Sequence, residues 1–403
     1  MLDTVTLQDS EQSSEVKSYR YLIAIEPLGF LYGSAGRFLS PENLVGRSGT
    51  SFPPSAATLS GLFAAFYQGD ESQLKNLQLA GPFWAKQEEP QNFYVPTPLN
   101  CLVKKDGKTR KIESQMSWCE CEANDGNLET GEPRGRWLVR DAKTHFWRSP
   151  PVGKFESDTW INIKHWQPGN WTGKEVRKAP WEFLPHLHPR LEEEQRRVRI
   201  EKERELGSLF LENAVQLDPD CCLVYLSNRP IEPNWYRFGG EGHLVSVQCL
   251  DLNRHTQDLL ARDIQRSFAL IVPAVWGSNR LSYREPMVRN GHAWIPAWRQ
   301  DPEKPNPTDP CQSKVGGLLT QRPTPFRYRL GHPETPEGEK FKDAKTKRLS
   351  RGRYAMPAGS VYVLKSPLNQ SWIKWPLEWF PKEGVSYKRW GCGLALPLES
   401  AIA

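Results

Sequence analysis

Twice along the chain a basic, aromatic stretch runs into a glycine cluster and leaves it as an apolar strand: WYRFGGEGHLVSV (Trp235 to Val247) and YKRWGCGLAL (Tyr387 to Leu396). Glycine tolerates positive φ and close approach of other atoms, so such a bend can turn sharply and offer bare N–H groups to an anion. A helix cannot run through either segment without cost, so both halves of the chain must contain strands entered from tight turns. GGEG is neither a dinucleotide fingerprint nor a Walker A loop, because it precedes no Lys-Ser/Thr pair and opens a strand. Nucleotide cofactors are therefore not expected, and no other cofactor is implied.

The rest of the pattern is read around those bends. YRYLIAIE (Tyr19 to Glu26) predicts a first strand with both faces covered. After Pro53-Pro54-Ser55, Leu59, Leu62, Phe63 and Phe66 recur at helical spacing, predicting an amphipathic helix that stops at Gly69-Asp70. Gly61 inside it implies a close neighbour. SFALIVPAVW (Ser267 to Trp276), YAMPAGSVYVL (Tyr354 to Leu364) and YKRWGCGLALPL (Tyr387 to Leu398) bring further strands. Residues 80–190 read as insertions and hairpins, and Leu191 to Arg204 as a charged helix or a long hairpin. Residues 254–266 read as a polar linker or helix. The 34 prolines and 16 tryptophans imply much irregular chain whose rings mostly staple loops to a core.

The expected fold class is α+β with antiparallel sheets and long insertions. A disordered lead covers residues 1–18. An N-terminal unit spans 19–253, with insertions over about 80–235. A C-terminal unit spans 254–403, with a mobile insertion over about 300–352. Eight cysteines without a C-x-x-C pair read as reduced thiols, Cys119 and Cys121 included, and no metal site is expected. Met1 to Lys17 is polar, and no run approaches the roughly 18 apolar residues of a membrane span, so a cytoplasmic address is expected. The net charge of +6 permits a polyanionic partner without requiring one.

PPSAATLSGLF (Pro53 to Phe63), FGGEGHLVSV (Phe238 to Val247), RYAMPAGSVYVL (Arg353 to Leu364) and RWGCGLALP (Arg389 to Pro397) together resemble the third subunit of Cmr-type (type III-B) CRISPR effector complexes, a RAMP-superfamily family. EPLGFLYGSAGRF (Glu26 to Phe38) and VRIEKERELGSLF (Val198 to Phe210) are similar to two further family segments, with Gly-Ser-Ala in place of the usual Arg-Asp and Arg199 in place of a leading glycine. The resemblance implies tandem ferredoxin-like (RRM-like) domains that hold the 5′ repeat tag of the CRISPR guide RNA. It also implies docking to a large polymerase/cyclase-type subunit and an adjacent backbone RAMP subunit, with no nuclease activity.

On this reading Gly239, Gly240, Gly242, Gly391 and Gly393 set backbone against the RNA. Arg37, Arg47, Arg237, Lys388 and Arg389 neutralise phosphates, His243 belongs to the same surface, and Tyr236, Phe238 or Trp390 stack on bases. No catalytic residue is assigned. His243 and His145 would be the general-base candidates of the alternative, a metal-independent RAMP endoribonuclease processing precursor guide RNA. Asp141 and Asp251 could be nominated for metal-dependent cleavage, but nothing singles them out. A protein-only scaffold is the other alternative.

Overall fold

The structure, a computed structural model, describes residues 19–32, 52–121, 134–141, 144–189, 191–192, 195–198, 209–240, 242–277, 282–290, 293–298, 314–328 and 350–402. The expected lead over residues 1–18, Arg37, Arg47 and most of the 300–352 insertion lie outside these.

One strand order occurs twice. In the first half, β1 (Tyr21–Pro27) pairs antiparallel with both β3 (Cys221–Ser227) and β4 (His243–Asp251), and β3 pairs with β2 (Leu79–Lys86). The order is 2-3-1-4. In the second half, β5 (Ser267–Leu270) lies between β7 (Val361–Leu364) and β8 (Ala395–Pro397), and β6 (Val315–Leu319) flanks β7. The order is again 2-3-1-4, that of the ferredoxin-like βαββαβ unit. Of the four crossovers this order implies, only the first carries an α-helix among the described residues, α1 (Ala56–Phe66). The β3–β4 crossover carries the edge strand Asn234–Phe238, and the β7–β8 crossover carries 3-10 turns. The fold class is thus α+β, and richer in strands than the repeated unit requires.

The helix forms where its apolar stripe predicts, with Leu59, Leu62 and Phe63 buried. Ser55 precedes it in extended conformation without a side-chain cap bond. Gly61 faces outward, and a Cβ there would meet nothing within 4 Å, so the expected close neighbour is not found among the described residues. Arg254–Ala261 is a helix (α2), capped by Asn253 Oδ1, which accepts from the Thr256 N–H at 2.8 Å. Within the charged 191–204 stretch, Leu191–Glu192 pairs with Gln195–Val198, so its described part is strand, next in sequence to Trp181–Pro189, which pairs with Leu209–Leu217.

Two core strands fall inside the span expected to be insertion. β2 (LAGPFWAK) carries Gly-Pro at its centre, and its register with β3 shifts there, a bulge that hides the strand from a period-two reading. A Cβ on Gly81 would sit 2.9 Å from the Tyr225 ring, so the sheet can close only over glycine. The inserted chain therefore lies between Lys86 and Cys221. It extends the first sheet to eight strands, ending at Val176–Lys178, and adds a four-stranded sheet built on Cys101–Asp106, Thr109–Cys121, Arg134–Arg140 and Trp147–Arg148.

The two halves share one hydrophobic core that runs from Leu22 and Phe63 through Trp166 to Trp276, Trp375 and Leu396. Trp166 Nε1 donates to the Pro397 carbonyl at 2.9 Å, and Tyr19 stacks on Trp372. Most tryptophans are staples of this kind. Among the exposed large side chains, Trp235 is 67% exposed.

Candidate nucleic-acid interface

The first glycine bend closes the hairpin of Asn234–Phe238 with β4. Phe238 pairs with His243, and Gly242 N–H donates to the Gly239 carbonyl at 3.3 Å. Gly239 (φ 76°) and Gly242 (φ 67°) hold the left-handed conformation that makes this turn possible. Gly239 and Gly240 are exposed, and a Cβ on either would meet nothing, so the main chain is open to close approach.

Strand alternation sorts the flanking side chains. Arg237 lies opposite Leu244 and Trp235 opposite Ser246, so these four share one face. Arg237 is exposed, and its side chain lies along Gly242, 3.5 Å from where a Cβ would stand. Tyr236 and Phe238 point the other way. Phe238 is buried beside Tyr225, and Tyr236 meets Phe66 of α1 edge-on at 6.4 Å while donating to the Glu232 carbonyl. The expectation that these two rings stack on bases fails for that reason. Trp235, within the quoted motif but not nominated, is the ring that faces out; counting strand period from buried Phe238 would have found it.

His243 sits half-buried beneath the bend, its ring 5.2 Å from Tyr32. Tyr32 in turn shares a 2.5 Å hydrogen bond with His186 Nδ1. A phenol and two imidazoles from three distant segments thus meet at the root of this hairpin. No sequence signal connects them. Asp141 pairs with Arg148 at 2.9 Å, and Asp251 pairs with Tyr21 within the sheet; neither joins this cluster.

The second bend differs in kind. Tyr387–Trp390 is a 3-10 turn closed by Gly391 (φ 70°), with Gly393 (φ 68°) just beyond. A Cβ on Gly391 would lie 2.6 Å from the Ala80 Cβ, and one on Gly393 2.6 Å from the Trp276 ring. The bend is the joint where β2 of the first sheet meets the core of the second half. Lys388 has no exposed surface. Its Nζ donates to the carbonyls of Ile373 (2.7 Å) and Trp375 and lies over the rings of Trp372 and Phe380. Burial pushes its pKa down to about 7, opposed by the Glu378 carboxylate. Arg389 donates to the Leu74 carbonyl, and Trp390 packs on Tyr328 at 4.7 Å. The expectation that Lys388, Arg389, Trp390, Gly391 and Gly393 face RNA is thereby corrected: Lys388 and Arg389 donate to main-chain carbonyls, Trp390 is buried against Tyr328, and the two glycines make room for neighbouring atoms.

Beside this joint, Arg353 and Glu383 form a buried ion pair, with Tyr387 donating to Glu383 at 3.0 Å. Burial alone would raise the Glu383 pKa. Hydrogen bonds from Arg353, the Arg351 N–H and Tyr387 hold it below the usual carboxylate value. The three-residue acidic and thiol group found among the described residues, Asp218, Asp220 and Cys221, offers little to a cation: Lys86 already engages Asp220, and burial pushes the Cys221 thiol up to about 11.

Fold and site together define an α+β protein whose two halves repeat one strand order and share one core, with a solvent-facing glycine hairpin at one edge of the first sheet. The sequence model of the CRISPR-associated protein (Cas_Cmr3) family matches residues 40–400. The chain belongs to that family. Among solved structures it is similar to a chain of the Type III-B Cmr-beta complex bound to cognate target RNA and AMPPnP, state 1, and to one of the same complex bound to cognate target RNA. Each match has 11% identity and a TM-score of 0.41, covering 85% of this chain and 86% of the other. A chain of the Csm1–Csm4 cassette in complex with pppApA matches at 9% identity and a TM-score of 0.27, covering 87% of this chain and 97% of that one. No curated protein matches the chain. No helix among the described residues is long and apolar enough to cross a membrane.

Proposed function

We propose that this chain is a non-catalytic, cytoplasmic subunit of a type III-B CRISPR effector complex, the RAMP-superfamily third subunit, and that it holds the 5′ repeat tag of the guide RNA. It would dock the large polymerase/cyclase-type subunit and an adjacent backbone RAMP subunit. The observation that carries this reading is a family match over residues 40–400 that contains a solvent-open glycine hairpin flanked by an exposed arginine and an exposed tryptophan. In it, the Gly239–Gly242 bend brings main chain against the ribose-phosphate strand, Arg237 neutralises a phosphate, and Trp235 supplies a stacking face. His243 supports the bend from below. Arg37 and Arg47 remain in the proposal as phosphate contacts, outside the described residues. Division into units at residues 19–253 and 254–403 is part of the same proposal.

Crosslinking labelled guide RNA to the assembled complex should map to the 235–243 hairpin. Arg237→Glu should weaken tag binding and flatten its salt dependence. Unchanged affinity and an absence of crosslinks on this chain would leave the protein-only scaffold reading standing instead. The meeting of Tyr32, His186 and His243 favours one second reading, metal-independent cleavage of precursor guide RNA with a histidine as general base. Discrete cleavage of repeat RNA by the isolated chain in the presence of a chelator, lost in His243→Ala, would establish it.

A further inference from the structure

Beside the edge of the eight-stranded sheet opposite the glycine hairpin, the inserted four-stranded sheet carries a charge cluster that the tag site does not use. Cys101–Asp106 and Thr109–Cys121 form a hairpin reading KKDGKTRK around its turn, with Gly107 at φ 58°. Lys104 stands across from Lys111, and Lys105 across from Arg110. Two like-charged pairs facing each other across a hairpin disfavour its formation, and ion pairs from Lys104 and Arg110 offset this only in part.

A neighbouring segment adds further cations: the main chain of Lys111 pairs with that of Glu175 in an isolated antiparallel bridge, and the Ile112 N–H donates to the Lys174 carbonyl at 3.0 Å. Most nearby carboxylates are engaged: Glu113 by Lys104 (2.7 Å), Glu156 by Arg110 (3.0 Å) and Lys178 (3.6 Å), and Glu175 by Arg177 (3.7 Å). Lys105, Lys108, Lys111 and Lys174 remain exposed and without an ion pair among the described residues, against the single carboxylate of Asp106. The local field reaches His165, whose pKa is lowered by burial first and then by the ammonium groups of Lys174 and Lys164. Beneath Lys104 lies the half-buried ring of Phe155, 5.7 Å from its Nζ.

We infer that this hairpin is a second, sequence-independent contact for single-stranded RNA, gripping phosphates with Lys105, Lys108, Lys111 and Lys174. It goes beyond the tag-holding reading, since the sheet edge it adjoins, Val176–Lys178, stands seven strand spacings of about 4.8 Å, roughly 34 Å in all, from the Asn234–Phe238 edge strand of the glycine hairpin. A lysine cluster suits a phosphate chain better than a protein interface, whose centre is depleted in lysine.

The test uses the full chain with the triple variant K105Q/K108Q/K111Q, all at exposed positions, and Arg237→Gln in parallel. A single-stranded RNA of unrelated sequence is titrated at several salt concentrations, with poly-glutamate as the acidic-polypeptide probe and thermal melting as the folding control. The triple variant should melt as the parent does and bind RNA more weakly, and its log-log salt slope should be shallower by about 2, at roughly 0.7 per lost contact. An unchanged slope in the triple variant beside a reduced one in Arg237→Gln overturns the hairpin contact and leaves the tag site standing. The reverse pattern supports the hairpin contact. Tight poly-glutamate binding without RNA binding overturns the inference in favour of an acidic protein partner.

Discussion

Gly239 and Gly391 have nearly the same φ, 76° and 70°, and opposite surroundings. Gly239→Ala meets open space and only the left-handed backbone penalty, about 1 kcal/mol. Gly391→Ala adds overlap with Ala80 to that penalty and should cost a further ~1–3 kcal/mol. Denaturant melts of the two variants should therefore separate by that margin, while RNA affinity per folded molecule falls only in Gly239→Ala. Lys388 gives a pH signature. Its pKa falls from 10.5 in the open chain to about 7 in the fold. Between those values the unfolded chain binds more protons, so the group makes stability rise with pH across that window. Measured from pH 7 to pH 9.5, the melting temperature of the parent should climb relative to that of Lys388→Met; parallel curves would mean the ammonium stays charged in its ring cage.

At the scale of elements, α1 was legible because helix period and Pro-Pro-Ser punctuation agree, and its one odd residue proves to be slack. Gly61→Ala should stabilise the protein by about 1 kcal/mol, since the position is helical, outward-facing and uncrowded; a loss of stability in a denaturant titration would contradict the placement. β3 was missed although CCLVYLS is buried at every position, because a short continuous apolar run has no period to read. Its turn-rich flanks, Asp218-Pro219-Asp220 before and Ser227-Asn228-Arg229-Pro230 after, were the available signal. β2 was hidden by its Gly-Pro bulge. The exposed hairpin and the buried joint were alike in sequence, since burial depends on chain that folds over them from elsewhere.

At the scale of the whole molecule the two halves are not independent. Trp166 hydrogen-bonds Pro397, Arg389 hydrogen-bonds Leu74, and the Leu99 N–H donates to the Gly359 carbonyl at 2.9 Å, all across the halves. A single calorimetric transition is therefore expected for the full chain. Residues 254–403 expressed alone should fail to fold cooperatively, because Trp276, Leu394 and Leu396 belong to the shared core, and co-expression with residues 1–253 should restore them. Two well-separated transitions would contradict a shared core.

The sequence alone determined what local forces encode: an α+β chain, its first strand and amphipathic helix, two glycine-bent strand entries, and a family likeness that the match over residues 40–400 bears out. Those features depend on period, turn chemistry and backbone freedom within a dozen residues. Tertiary structure decided which bend meets water, which ring beside Arg237 turns outward, and that Tyr32, His186 and His243 come together. Each of these depends on contacts between segments far apart in the chain, and solvent exposure at any residue is set by whatever distant chain packs over it.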